Sequence, residues 1–477
     1  MSSLTRLTAI EMAAAVRARK VSPVELVKAH LKRIKQLNPK FNAFVCVDEE
    51  RALTAARAAE AVLMHGDDVG ALHGVPVSIK SSIDVAGLRC EAGTRLRAGH
   101  VPEKDAVLVA RLKSAGAVIL GTTNVAELLM AWETSNVLHG RTSSPWDLER
   151  TPGGSSGGEA AAIAACMSAG GVGSDGGGSI RVPAHFSGIC GLKPTPGRVP
   201  ATGHYPESLG PFALLGVVGP MARTIADVKL LFDAIAGPDP GDTCSARVPL
   251  RKVSKVEARK LRIGYYEEDP GTPVTPETRA AVRVAAEALR QQGFEVQAFA
   301  PDFLAAAHRC WWTLFGVAGG MLLGPMLAGH EAELSPVLKD YAAVVASMSP
   351  ISADAFLNAW LERDALRLKL LARMQEFPIL LCPVCSIPAF CHYQREWSVN
   401  GTTVRYPGGQ PDVMIYSECF NLLGNPGAVV PVSQSSEGLP IGVQVVGRPN
   451  EEEEVLAVAG FLDREFGYEE PPLSRES

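Results

Sequence analysis

The stretch Thr151–Ala160 reads TPGGSSGGEA, and a second glycine–serine cluster, GSDGGGSIR, follows at Gly173–Arg181. In the first cluster both Ser155 and Ser156 fit the small-x-Ser-x-Gly pattern of a nucleophile elbow. The helix predicted after these serines would point its free backbone amides toward the glycines. The two clusters therefore contain the candidate nucleophiles, and a base must come from elsewhere in the chain.

Two familiar glycine motifs are excluded by their context. An α/β-hydrolase elbow needs a strand leading into the serine, followed along the chain by an acid and then a histidine. Here the turn-like SSPWDLERTP precedes the serines, and no histidine forms a recognisable pair with an acid. GVGSDG at Gly171–Gly176 fits the dinucleotide pattern, but an Ala-rich helix precedes it and no acidic residue occurs from Gly177 through Pro206.

A lysine is the alternative base for a serine nucleophile. The chain contains no S-x-x-K motif, so such a lysine must be distant in sequence. In GVPVSIKSS, at Gly74–Ser82, the apolar residues alternate onto one face of a strand and leave Lys80 on the other face at its end. Lys80 can act as a base only in a dry site that lowers its pKa.

These residues, taken together, resemble the amidase signature family. The resemblance rests on Lys80 and on the motifs TPGGSSGGEAAAIAA, SDGGGSIRVPAHFSGICGLKPTPGRVP and GPMARTIADV. It continues through GTTNVAEL, FNLLGNPGAVVPV and GLPIGVQVVGRP, so it covers nearly the whole chain. The spacing also agrees, with 75 residues from Lys80 to Ser155 and 24 from Ser155 to Ser179. The chain is thus similar to fatty acid amide hydrolase-like enzymes and to bacterial aryl and alkyl amidases.

The resemblance implies a Ser-Ser-Lys catalytic triad. Ser179 would be the nucleophile, Ser155 a bridging serine in a cis peptide, and Lys80 the terminal base. In this relay neutral Lys80 takes a proton from Ser179 through Ser155 and later returns it to the leaving amine.

The resemblance also implies an oxyanion hole and a substrate wall. The backbone amides of Gly176, Gly177, Gly178 and Ser179 would bind the developing oxyanion. Ser156, Arg181 and Asp175 are expected to support the site. Leu129 and Met130, in the segment Leu129–Trp132, match by position the residues that line the acyl pocket of fatty acid amide hydrolase.

The sequence departs from the family pattern at two places, directly after Lys80 and directly before the glycines of the second cluster. The lysine is commonly followed by an acid and Asn, whereas Ser81 and Ser82 follow here. The usual Thr-Asp-Thr before the glycines is Ser174-Asp175-Gly176.

The alternation of predicted helices and strands indicates an α/β fold. We expect a single large domain over residues 1–477, with a central mixed twisted β-sheet covered by helices on both faces. N-terminal helices would occupy 1–65 and the catalytic core about 70–235, and the remainder would complete the sheet and the pocket. Helices are predicted at Ser22–Leu37, Glu49–Met64, Asp105–Ala115, Thr224–Ala236, Pro276–Gln292 and Glu452–Phe466. Strands are predicted at Val75–Ile79, Ala117–Leu120, Leu261–Tyr265, Phe294–Phe299, Ile379–Leu381, Ala428–Val432 and Ile441–Val446.

Net charge and cysteine content indicate which classes of partner and which cellular compartment to expect. A formal net charge of −5 over 477 residues gives no general basic field, which argues against direct nucleic-acid binding. Ten cysteines at irregular spacing are typical of reduced thiols in a cytoplasm. Cys382, Cys385, Cys391 and His392 cluster, but Pro383 and the preceding apolar run favour a buried strand over a zinc site. We expect no metal and no cofactor.

One long apolar segment could be mistaken for a membrane span. Trp311–Gly329 contains 19 residues without a charge. Its glycines and Pro325 favour a buried helix beside an apolar pocket. We therefore expect no membrane span. The resemblance implies a small-molecule amide or carbamate substrate, and it suggests a homodimer, because homodimers are frequent among similar proteins.

Two functions remain open at this point. The first is a serine amidohydrolase that cleaves apolar or aryl carboxamides, and also esters and carbamates. The second is the A chain of a glutamyl-tRNA(Gln) amidotransferase, which releases ammonia from glutamine. Those chains usually carry Gln after Ser-Ile-Arg, where this chain has Val182, and tend to read Arg-Val-Ser-Arg, where it has Arg198-Val199-Pro200-Ala201.

Overall fold

Eleven strands between residues 44 and 447 form one mixed sheet in the computed structural model, which describes residues 2–409 and 411–475. The described strands are β1 Phe44–Val47, β2 Pro76–Lys80, β3 Val118–Thr123, β4 Ser135–Asn136, β5 Gly140–Arg141, β6 Gly170–Asp175, β7 Cys190–Lys193, β8 Val217–Ala222, β9 Ile263–Tyr265, β10 Val296–Ala298, β11 Ile379–Pro383, β12 Glu396–Val399, β13 Thr402–Arg405, β14 Gly427–Gln434 and β15 Pro440–Gly447. The large sheet has the order β1-β3-β2-β6-β8-β7-β14-β15-β11-β9-β10, and β4-β5 and β12-β13 form two small hairpins.

Helices connect these strands. They are α1 Ser2–Arg6, α2 Ala9–Arg17, α3 Pro23–Phe41, α4 Glu49–His65, α5 Val107–Ser114, α6 Gly157–Ala164, α7 Arg181–Ser187, α8 Pro211–Leu215, α9 Ile225–Ile235, α10 Lys255–Ala258, α11 Pro276–Gln291, α12 Leu304–Trp311, α13 Ala318–Leu327, α14 Pro336–Met348, α15 Ala353–Arg373, α16 Ile415–Leu422 and α17 Glu452–Phe466. A π-helical segment, Trp312–Val317, joins α12 to α13.

The sheet has an apolar core on each face. Along β14, Val430 belongs to one buried cluster and its neighbour Val429 to the other, because successive strand residues point to opposite sides. Helices α9, α11 and α17 contribute to the apolar core that contains Val430. Helices α7, α12 and α16 contribute to the apolar core that contains Val429. The expected α/β architecture, a large mixed sheet flanked by helices, is therefore confirmed.

The parallel part of the sheet positions the residues of interest. Strand β2 lies between β3 and β6 and is parallel to both, with Ile79 opposite Val172 in β6. Because β2 and β6 end at the same edge, Lys80 at the end of β2 comes beside Ser174 near the end of β6. Helix α6 follows the first glycine–serine cluster, and α7 follows the second.

Helix boundaries follow local capping chemistry. Ser22 and Glu25 form a capping box at the start of α3, with Pro23 in the first turn. Asn42, with φ 52°, ends α3 in the left-handed conformation that its short polar side chain tolerates. The predicted helices at Glu49–Met64, Pro276–Gln292 and Glu452–Phe466 agree with the observed helices to within one residue at each end.

The apolar segment Trp311–Gly329 differs from the prediction over its second half. Its first part is buried, but Met321 and Leu322 in α13 are 65% and 52% exposed. In the described part of the chain, one continuous helical run, Leu304–Leu327, is long and apolar enough to cross a membrane, and just over half of it is buried in the protein. The segment stays helical through its glycines and Pro325, and it packs against α8 and α14.

Candidate active site

Asp175 organises the second glycine–serine cluster, between the end of β6 and the start of α7. Its carboxylate accepts hydrogen bonds from the backbone N–H groups of Gly178 (2.8 Å) and Ile180 (3.1 Å). It also accepts two bonds, each 3.0 Å long, from the buried guanidinium of Arg181. Burial by itself would raise the pKa of Asp175, but the charge and hydrogen bonds of Arg181 outweigh it and hold that pKa well below its usual value. The ionised Asp175 therefore fixes the loop that carries Ser179.

Lys80 lies fully buried beneath the first glycine–serine cluster, which contains Ser155. Its Nζ donates to Oγ of Ser155 at 2.7 Å and to Oγ of Ser174 at 2.9 Å. Burial lowers the pKa of Lys80 to about 7, while the carboxylates of Asp175 and Glu159 act in the opposite direction. A large fraction of Lys80 is therefore neutral at physiological pH and able to accept a proton.

The first cluster has the backbone geometry that the family resemblance implied. The Gly154–Ser155 peptide bond is cis. Ser156 Oγ donates to the Ser174 carbonyl at 3.3 Å, and this bond connects the loop to β6. A Cβ on Gly154 would lie 2.6 Å from the Ala131 carbonyl oxygen, so the backbone approach requires glycine.

Glu159 is a site residue that the sequence reading missed. It is the only acid in the Ala-rich helix α6, is fully buried, and accepts hydrogen bonds from Ser78 and from Thr123, the latter at 2.7 Å. Burial raises the pKa of Glu159 to about 7, and the Ser78 and Thr123 hydroxyls and the charge of Lys80 oppose the rise. A lone acid within an otherwise apolar helix was the available signal, because an acid is buried only with partners.

Ser155 and Ser179 open onto one pocket, which encloses about 770 Å³ of empty space, partly open to solvent. Ser179 is 7% exposed. The wall also includes Gly176 and Gly177, and the expected Leu129 and Met130. The remaining lining is Ala131, Trp132, Ser174, Asp175, His204, Pro206, Ser208, Phe212, Gly216, Val217, Val218, Trp311, Trp312, Phe315, Tyr341, Tyr406, Pro407 and Met414. Aromatic and apolar side chains thus form most of the pocket wall around Ser155 and Ser179.

The glycine loop, residues 176–178, differs at one position from the expected set of oxyanion donors. Gly178 does not line the pocket, and its N–H donates to Asp175. An amide already bonded to a buried carboxylate is not free to bind a substrate oxygen. Of the expected oxyanion donors, the Gly178 amide is therefore the one that already has an acceptor among the described residues.

His204 is a further polar pocket residue that the sequence reading did not single out. Its Nδ1 lies 3.0 Å from the Pro206 carbonyl, which can only accept, so Nδ1 carries the proton. Burial and the nearby Lys80 lower the pKa of His204 to about 4. It is thus neutral at physiological pH and adds no charge to the pocket.

The cysteine cluster begins in the buried strand that the sequence predicts. Cys382 and Cys385 are buried at the end of β11 and just after it, and burial raises the pKa of each thiol to about 12. His392 lies 3.2 Å from the carboxylate of Glu133. The described residues contain no group of three potential ligands placed to hold a metal ion.

Comparison with known proteins identifies a family for this chain. A family model described as Amidase matches residues 25–456. The A chain of the glutamyl-tRNA(Gln) amidotransferase of Myxococcus xanthus (strain DK1622) is 35% identical over 98% of this chain and 98% of its own length. Indoleacetamide hydrolase of Bradyrhizobium diazoefficiens is 32% identical, over 96% of this chain and 86% of its own length.

Solved structures are similar over nearly the whole chain. One belongs to a vestigial protein complex described as revealing the evolutionary origins of an s-triazine catabolic enzyme; it has a TM-score of 0.87, 31% identity, and coverage of 98% of this chain and 100% of that one. Another is a bacterial aryl acylamidase of the amidase signature family, with a TM-score of 0.83, 27% identity, and coverage of 96% of both chains.

Proposed function

Because the chain belongs to the amidase signature family, whose enzymes act on amide C–N bonds, we propose that it is a self-sufficient serine amidohydrolase for apolar or aryl carboxamides. The observation that carries this proposal is the buried Lys80–Ser155 contact beneath an apolar pocket that also contains Ser179. Esters and carbamates present the same carbonyl carbon to Ser179, so we include both as substrates. We expect slower acylation by carbamates, because their carbonyl carbon is less electrophilic.

The proposed reaction proceeds through an acyl-enzyme. Ser179 Oγ gives its proton to Ser155, whose own proton passes to neutral Lys80, and the alkoxide of Ser179 attacks the amide carbonyl carbon. The proton then returns along the same path to the amine nitrogen as the C–N bond breaks. Water, activated by the same relay, hydrolyses the ester on Ser179 and releases the carboxylic acid.

The oxyanion would be bound by backbone amides. Gly176, Gly177 and Ser179 line the pocket, and their N–H groups have no acceptor among the described residues. Each such donor contributes about 3–4 kcal/mol to the transition state in well-studied serine hydrolases.

The A chain of a glutamyl-tRNA(Gln) amidotransferase is the second candidate, because a relative of that name is 35% identical to this chain. Glutamine carries an α-ammonium and an α-carboxylate, and buried charges need partners. Among the described residues, the pocket lining supplies no cationic side chain, since His204 is neutral, and its one carboxylate, Asp175, is already bonded to Arg181. Val182 is buried and apolar. These features favour the hydrolase.

We predict that the purified chain alone hydrolyses an aryl or alkyl amide, without a second protein, ATP or tRNA. A panel of anilides, primary amides, esters and aryl carbamates, with glutamine as the comparison substrate, measures this directly. Ammonia release from glutamine should be at least about 10²-fold slower in kcat/KM than hydrolysis of the best apolar amide, because unpaired buried charges cost several kcal/mol. A chain that is inert on the panel but releases ammonia from glutamine once a partner protein is added would contradict the hydrolase proposal.

The lowered pKa of Lys80 predicts a characteristic pH profile. Protonated Lys80 cannot accept the proton of Ser179, so kcat/KM for amides should rise through about pH 7, near the pKa of about 7, and level off above it. Glu159→Gln removes a negative charge that favours the ammonium form, so the rising limb should move to lower pH. A limb that stays in place or moves to higher pH in Glu159→Gln would contradict this coupling.

A further inference from the structure

Trp311 covers the glycine loop of the pocket. It is the last residue of α12, is 3% exposed, and stacks on Phe315 with ring centroids 4.9 Å apart and planes inclined by 17°. A Cβ on Gly177 would lie 2.7 Å from Trp311 Cζ2, and a Cβ on Gly176 would lie 2.5 Å from Phe315 Cζ. The two rings therefore occupy the space that side chains at these two glycines would need.

The indole also makes a directed polar contact with this loop. Trp311 Nε1–H donates to the carbonyl oxygen of Gly176 at 2.9 Å. The peptide group is planar and trans here, so its C=O and N–H point in opposite directions. A bond that holds the Gly176 carbonyl against Trp311 therefore turns the Gly177 N–H away from that indole.

The next peptide group, between Gly177 and Gly178, is held by a hydrogen bond at its carbonyl and another at its N–H. Trp132 Nε1–H donates to the Gly177 carbonyl at 3.1 Å, and the N–H on the other side of that peptide, of Gly178, donates to Asp175. This peptide is thus fixed at both ends. The peptide before it is fixed by Trp311 at its carbonyl, and its Gly177 N–H has no acceptor among the described residues.

We propose that Trp311 is a positioning residue for the oxyanion hole, holding the Gly177 N–H toward the carbonyl oxygen of the bound amide. The inference rests on the proposed function and deepens it, because it assigns the orientation of one transition-state donor to a side chain 135 residues away in sequence. Glycine at both 176 and 177 leaves this peptide free to rotate, so an external hydrogen bond is needed to preorganise it.

The decisive variant is Trp311→Phe, which keeps an aromatic ring and removes the N–H. We expect kcat for an anilide to fall about 10- to 100-fold, somewhat less than the loss of a whole donor, with KM changed by less than about threefold. The inhibition constant of an aryl boronic acid should rise by a similar factor. Ser179 Oγ adds to boron while its proton passes to Lys80, and the resulting tetrahedral boronate places an oxygen at the oxyanion position.

A purely structural role for Trp311 would give a different pattern. Binding of the aniline product, which has no oxygen to place in the oxyanion hole, and of the boronic acid would then weaken together, whereas positioning predicts that only the boronic acid weakens. Trp146→Phe is the matched control, because Trp146 Nε1–H donates to the Ser187 carbonyl at the same distance, 2.9 Å, outside this pocket. Trp146→Phe should lower Tm to a similar extent and leave boronic acid affinity unchanged.

The outcomes separate this inference from the proposed function. Unchanged boronic acid affinity in Trp311→Phe, with Ser179→Ala inactive, overturns the positioning role alone, whereas full activity of Ser179→Ala overturns the proposed function. If Trp311→Phe does not fold, Phe315→Leu supplies the test, because it removes the ring that holds the indole in place. It should weaken boronic acid binding about threefold or more through misplacement of the donor, and an unchanged affinity would refute the role of Trp311.

Discussion

Replacing Ser179 by alanine is expected to lower kcat for amide hydrolysis by at least about 10⁴-fold, because the proposed function makes Ser179 the nucleophile that forms the acyl-enzyme. Ser179 lies in the pocket wall between the glycine loop and α7, where a hydroxyl can meet a bound carbonyl. Alanine preserves the backbone amide at this position, so the oxyanion donor is kept and only the attacking oxygen is lost. The measurement is single-turnover and steady-state hydrolysis of an anilide, with mass spectrometry of the trapped acyl-enzyme.

Ser81→Ala is the matched control for this substitution. Ser81 is buried next to Lys80, and its hydroxyl has no hydrogen-bond partner among the described residues. Its loss should leave kcat within about threefold of the wild type, since no hydrogen bond is broken. Acyl-enzyme detected in Ser179→Ala would assign the nucleophile to another serine, with Ser155 as the first one to test.

The second large effect concerns the difference between amides and esters. Lys80→Met and Ser155→Ala are expected to reduce amide hydrolysis about 10³- to 10⁴-fold, and hydrolysis of the ester with the same acyl group about 10- to 100-fold. The difference arises because an amine must receive a proton to leave, whereas an alkoxide or phenoxide leaves more readily without one. The ratio of kcat/KM values on the matched amide and ester is the quantity to measure.

Lys193→Met controls for the general effect of replacing a buried lysine by methionine. Lys193 is also fully buried, burial lowers its pKa to about 7, and its Nζ donates to the Pro194 carbonyl at 3.0 Å, outside the pocket lining. Any loss of activity in Lys193→Met should fall equally on amide and ester, because this lysine lies outside the relay. Equal losses on both substrates in Lys80→Met would contradict the proton relay from Ser179 through Ser155.

The sequence alone was sufficient for the elements with clear periodicity, and its resemblance to a known family supplied the candidate triad, which stays a prediction. Helices such as α11 and α17 are indicated by apolar residues at helical spacing, and β14 and β15 by runs of β-branched residues. By contrast β6, GGVGSD, contains three glycines and no strand signal, since glycine has low β-propensity; only pairing with β2 and β8 makes it a strand.

The properties that make Lys80 a candidate base belong to the tertiary structure. A lysine at the end of a strand is ordinarily charged and solvated, and its lowered pKa arises from complete burial beneath the Ser155 loop. Glu159 contributes from α6 in the opposite sense. Burial and pair distances depend on segments far apart in the chain, so no local pattern around Lys80 could predict its pKa.

The difference between what the sequence predicts and what the tertiary structure decides is clearest in the glycine loop. The motif GSDGGGSIR, through its resemblance to a known family, identified Asp175, Arg181 and Ser179 as members of one site. It could not predict that the Gly178 amide is bonded to Asp175, or that Trp311 reaches the Gly176 carbonyl. A sequence motif specifies which groups are present in a loop, whereas the direction of each peptide depends on hydrogen-bond partners that only the folded chain brings within reach.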